Sequence, residues 1–178
     1  MSYEQKPAEG EYNPYYERYI ARVPEGDIVA ILATQIEDSL AMFRELTEEQ
    51  ALHAYAPGKW TIKEVIGHLA DTERIMSYRA LRFARNDTTP VPGFDENSYV
   101  PAARSNQRPL ASLVAEFAAV RRATVALLAG LPADGWTRRG AANQHEISVR
   151  ALAQVIAGHE LHHRGIIAER YLAEPVSQ

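Results

Sequence analysis

The chain contains no cysteine. Disulfides, thiolate metal ligands and a cysteine nucleophile are therefore excluded, and any thiol chemistry needs a thiol brought by a cosubstrate. It also lacks a Lys/Arg block. Its 19 basic and 23 acidic residues give a net charge of −4, which argues against a nucleic-acid groove. No run approaches ~18 consecutive apolar residues, so no membrane span is expected. The opening stretch MSYEQKPAEGEYNPYY is polar and has no apolar core of a secretory signal, which makes the cytoplasm the expected location. Internal repeats, low-complexity stretches and convincing period-2 strands are missing too.

What is there is an ordinary globular composition: 178 residues, 46% hydrophobic and 24% charged. That suffices for one domain with a substantial core. Residues 1–26 read as a tyrosine-rich tail, with a short helix after Asn13-Pro14, a cap followed by proline at the first helical position. Residues 27–174 read as the domain. A first helix spans about 27–46, with Ile28, Ile31, Leu32, Ile36, Leu40 and Phe43 at helical spacing. A second starts after the capping box Thr61/Glu64 and stops near Asn86. The third opens at Pro109 and is ended by Gly130 and Pro132, and the fourth runs from about Ser148 to Leu172, before Pro175. Residues 87–108 and 132–147 read as connections without elements of their own.

The expected class is therefore all-α, a four-helix bundle. The 87–108 connection is long enough to cross the bundle, so an up-down-down-up order with a crossover between the second and third helices is expected. In that order the second and fourth helices are antiparallel. His68 then lies ~10 Å from the start of its helix, nearly level with His163, ~14 Å from the end of the fourth.

These heights matter because histidines carry the chemistry. His159 and His163 stand at i, i+4 near the centre of the fourth helix's apolar stripe, formed by Leu152, Val155, Ile156, Ile166 and Ile167. Imidazoles on a core face are costly unless hydrogen-bonded or metal-bound. His162 falls at the stripe's edge. His68 sits at the border of the second helix's stripe, beside Thr72, Ile75 and Arg79, a place that looks into a cleft or at solvent. Asp71 and Thr72 could orient its second ring nitrogen. Glu160 and Arg164 project away from the stripe and read as surface charges, and His53 and His145 read as solvated loop residues. The bland alternative for each histidine is an ordinary packed or solvated side chain.

The stretch Gly58-Lys59-Trp60-Thr61-Ile62-Lys63-Glu64-Val65-Ile66-Gly67-His68-Leu69-Ala70-Asp71-Thr72-Glu73 resembles the first signature of the DinB-like (damage-inducible) metal-binding bundles. Gly158-His159-Glu160-Leu161-His162-His163-Arg164-Gly165-Ile166-Ile167 resembles their second, H-x-x-x-H-R-G followed by apolar residues. The resemblance implies a bundle holding one divalent metal, zinc or nickel, on His68, His159 and His163, and a homodimer. It also implies activities known among such proteins. These are thiol-dependent S-transfer or isomerisation with bacillithiol, mycothiol or glutathione, or metal-dependent hydrolysis.

Three imidazoles leave a metal open to water or substrate. The leading expectation is transfer of a low-molecular-weight thiol to a small electrophile. Hydrolysis by metal-bound water ranks second, because no helical glutamate clearly points inward as its base. A non-catalytic metal-binding stress protein is the third reading. Tyr55, Trp60, Tyr99, Arg104 and Asn106 are candidates for a substrate mouth, and Asp71 and His162 for residues supporting the metal ligands. The expected partner is a small molecule, with no nucleic acid and no membrane.

Overall fold

The computed structural model describes residues 3–172. The expected stop at Pro175 and the domain end at 173–174 lie outside the described residues. Four long helices dominate: α2 (Ile28–Arg44), α4 (Ile62–Ala84), α6 (Leu110–Ala129) and α7 (Val149–Ile166). Shorter ones are α1 (Glu17–Ile20), α3 (Glu48–Ala51) and α5 (Glu96–Ala103). The helix starts follow from their caps. Asp27 accepts from the Val29 amide, Thr61 and Glu64 form the reciprocal capping box, and Ser148 accepts from the Ala151 amide. No helix of the described residues is long and apolar enough to cross a membrane.

α4 packs against α6 and α7, and α2 packs against the same two. Side-chain pairs give the directions. Lys63 bonds the Arg108 carbonyl and Glu73 meets Arg121, so α4 and α6 run the same way. Gln35 bonds the Ala157 carbonyl and Arg164 meets Asp38, so α2 and α7 run the same way. His68 faces His159 while Met76 faces Val155, so α4 and α7 are antiparallel.

Two apolar clusters form the core. One joins α7 to the N-terminal segment, the second half of α4 and the hairpin described below. The other lies between α2, the first half of α4 and α6. In the first twelve residues of α7 only Arg150 is not buried. Bundle neighbours cover the inner face, and α1 covers the outer one. At Gly158 the Tyr19 backbone comes so close that a Cβ would sit 2.0 Å from its carbonyl oxygen.

Three sequence expectations need correction. Residues 132–147 contain a hairpin, β1 (Arg139–Ala142) with β2 (His145–Ser148), joined by Asn143 and Gln144 at φ 50° and 66°. This is the left-handed pair a two-residue hairpin turn demands. The strands are four residues long and rich in Gly, Ala and charge, which hides any alternation. His145 is thus on a strand, though exposed. Residues 87–108 hold α5, capped by Asp95 and concealed in the sequence by its internal Pro101. Glu160 is not on the surface: it is 1% exposed and meets Arg121 at 2.6 Å. A stripe calculation fails for a helix that is covered on all sides.

Candidate metal centre

His68 comes from the second turn of α4, and His159 and His163 from successive turns of α7. Their Nε2 atoms converge, 3.0 Å between His68 and His159 and 3.1 Å between His159 and His163. One ligand nitrogen from each of the three lies within 4.8 Å of the others. Burial drives all three pKa values down, His68 to about 4 and His163 to about 3, with His159 well below its ordinary value. Neighbouring imidazoles add to this for His159 and His163. At neutral pH all three are therefore uncharged, with a lone pair to offer.

Hydrogen bonding alone does not account for this arrangement. The His159 Nε2 carries either one proton or one lone pair, yet it faces two other Nε2 atoms. Either one of the two contacts is left unbonded, proton against proton or lone pair against lone pair, or a single proton or lone pair is shared between both. A cation accepts all three lone pairs at once. Tetrahedral ligation at 2.0–2.1 Å sets nitrogens roughly 3.3 Å apart and octahedral ligation roughly 2.9 Å, so 3.0 and 3.1 Å fit a shared ion.

The surroundings hold the rings in place. Thr72 Oγ1 lies 3.4 Å from His68 Nδ1, one helical turn on. The Trp60 ring is tilted against His68 at 4.8 Å between centroids, and Tyr19 stands edge-on to His159 at 5.3 Å and to His162 at 5.4 Å. Beneath the cluster Arg121 bridges Glu73 and Glu160, and the Ser39 hydroxyl donates to Glu160. Burial pushes the Glu160 carboxyl up and Arg121 opposes that.

The three histidines line a cavity of about 540 Å³, within the range of small-molecule sites. Its other walls include Tyr15, Tyr16, Arg18 and Tyr19 from the N-terminal segment, Gly93, Phe94 and Glu96 before and in α5, and Ala142, Asn143, His145, Glu146 and Ile147 of the hairpin.

Of the residues expected at a mouth, only Trp60 lines this cavity. Tyr55 packs on Tyr171, and Tyr99 on Phe94. Arg104 is an exposed left-handed cap, and Asn106 bonds Thr61 and Glu64. Asp71 pairs with Arg74 rather than turning to His68. His162 is half-buried and lines the cavity beside His163. The N-terminal wall had a sequence signal: Gly158 weakens a helix interior, and such a glycine marks a close approach.

Residues 31–167 match the family model described as the DinB superfamily. A protein of Bacillus pumilus named "Putative metal-dependent hydrolase" is 26% identical over 132 residues, 72% of this chain and 74% of its own. One of Oceanobacillus iheyensis with the same descriptive name is 28% identical over 120 residues, 66% of this chain and 68% of its own. Among solved structures, YfiT from Bacillus subtilis superposes with a TM-score of 0.67 at 20% identity, covering 93% of this chain and 91% of that one. It is described as a probable metal-dependent hydrolase with an unusual four-helix bundle topology, and the likeness shows a shared fold.

Proposed function

The chain belongs to the DinB superfamily, and from that premise we propose that it is a metal-dependent enzyme acting on a small molecule, with His68, His159 and His163 holding one divalent cation. The observation that carries this is the convergence of three buried, neutral Nε2 atoms on one point at the wall of a cavity. An all-nitrogen donor set suits zinc and nickel alike. When bound, such an ion supplies Lewis acidity, lowering the pKa of a bound water or thiol and polarising an electrophile.

The protein's own residues supply the rest. Thr72 fixes the orientation of His68. Trp60 and Tyr19 pack against ligand rings and exclude water from those sides. Two imidazoles outside the ligand set, His145 and His162, also line the cavity, and His162, beside His163, is placed to take up a proton. Glu73 and Glu160 are not available for that role, because Arg121 occupies both. This spare imidazole favours hydrolysis, the activity for which the two relatives are named.

Thiol S-transfer is the second reading. The cavity has room for two small reactants, and a chain without cysteine must take its thiol from outside. We take the assembly to be a homodimer, a point sedimentation velocity decides.

Metal analysis of the purified protein tests the premise. About one ion per chain is expected, lost in His159→Ala and in His163→Ala; unchanged content in both variants sinks the site. A panel of p-nitrophenyl esters, and a panel of low-molecular-weight thiols with monochlorobimane, then separates the readings. Turnover of esters without thiol supports hydrolysis, thiol-dependent turnover supports transfer, and turnover in neither assay leaves a metal-binding protein without catalysis.

A further inference from the structure

Three cationic side chains are buried among the described residues: Lys63, Arg79 and Arg121. Lys63 meets Glu48 at 2.5 Å, and Arg121 meets Glu73 and Glu160 at 2.8 and 2.6 Å. Arg79 is 3% exposed, and no described carboxylate lies within 4.0 Å of it. Its Nη2 donates to the Pro92 carbonyl at 2.9 Å, its Nη1 faces the Met76 sulfur at 3.6 Å, and the Tyr16 hydroxyl lies beside it. These partners are neutral. They occupy some of the five guanidinium donors but leave the charge uncompensated, an unfavourable state for a buried ion.

Arg79 lines the same cavity as the three histidines. His68, Thr72, Met76 and Arg79 fall at i, i+4, i+8 and i+11, on one face of α4. Along the helix axis the two ends of that row are about 16 Å apart. Met76, Phe94 and Ile147 give the cavity apolar walls.

We propose that Arg79 is the anion subsite of this cavity, pairing with the carboxylate of an elongated small molecule whose apolar middle lies along Met76, Phe94 and Ile147. A planar carboxylate matches the guanidinium fork. A monoanion fits better than a phosphate dianion, because Glu96 and Glu146 also line the cavity. That this molecule is the substrate rests on the catalytic reading above. Its binding at Arg79 does not, and a metal-free arm separates the two.

The test uses 6-phenylhexanoate and its neutral amide as probes, titrated calorimetrically into the full chain with and without metal. The acid is expected to bind at least tenfold tighter than the amide in both forms. Arg79→Gln should erase that preference and Arg79→Lys keep part of it. Equal binding of acid and amide by the unmodified protein, or binding of neither, overturns the proposal. So does a preference that survives Arg79→Gln, or one present only with metal, which places the acid on the ion instead. An independent arm needs no ligand: Arg79→Met, with no charge to bury, should unfold at a higher temperature than the unmodified protein. A lower unfolding temperature would mean that the neutral partners already satisfy Arg79, against the proposal.

Discussion

Arg121 of α6 and Glu160 of α7 meet at 2.6 Å in the middle of the bundle, one residue along α7 from His159. The two helices lie diagonally opposite: α6 packs on α4 and α2, and α7 on α4, α2 and, on its outer face, α1. The same guanidinium also holds Glu73 of α4 and the Leu32 carbonyl of α2. One buried cation therefore ties all four long helices together beneath the histidine cluster and sets the rotation of α7 that presents His159 to the cavity.

Arg121→Met should leave two buried carboxylates facing one another and cost about 3–5 kcal/mol. Urea unfolding of the metal-free protein measures it. A loss below about 1 kcal/mol would show that the network does not hold the bundle.

Gly158→Ala should force Tyr19 away from α7, since a Cβ has no room beside its carbonyl. Overpacking of this kind costs about 1–3 kcal/mol, or several degrees in Tm for a chain of this size. Limited proteolysis should then cut within residues 3–25 at protease levels that spare the unmodified protein. An unchanged Tm together with an unchanged cleavage pattern contradicts the close approach.

Glu11 anchors the N-terminal segment to the start of α7. It accepts from Arg150 and from the Ser148 hydroxyl, and its carboxyl is held down to about 2, chiefly by the Arg150 hydrogen bond and against the cost of burial. A folded pKa below the ordinary 4.5 means that the anchor adds stability above pH 4.5 and loses it as pH falls toward 2. Glu11→Gln should therefore lower Tm at pH 7 by several degrees, with the difference shrinking as pH drops from 4.5 toward 2. A difference that stays constant across that window would rule out the ionised anchor.

Thr72→Val keeps the shape of the side chain and removes the hydroxyl beside His68 Nδ1. Loss of a group that orients a metal ligand typically weakens metal affinity 10–100-fold; competition against a chromophoric chelator should show a drop of about tenfold. Undiminished affinity would mean that helix packing alone orients His68.

Much of the bundle was legible in the sequence because its signals are local. The Thr61/Glu64 box, the Ser148 cap and the Gly130 stop are satisfied within one turn of backbone, whatever lies further away. The i, i+4 spacing of His159 and His163 needs only a helix to bring them to one face. The hairpin was hidden because Arg139–Ala142 and His145–Ser148 are too short to alternate convincingly. The cavity walls were hidden because the N-terminal segment reaches them from more than a hundred residues away in sequence.

By itself, then, the sequence determined the four long helices, their caps and which histidines share a face, since these depend on neighbours three or four residues apart. Only the tertiary structure decided that Glu160 is buried, that Tyr16 and Tyr19 wall the cavity instead of Tyr55 and Tyr99, and that Arg79 has no paired carboxylate among the described residues. Those facts depend on which surfaces meet. A side chain's periodicity cannot tell whether its outer face meets water or, as on α7, another segment of the chain.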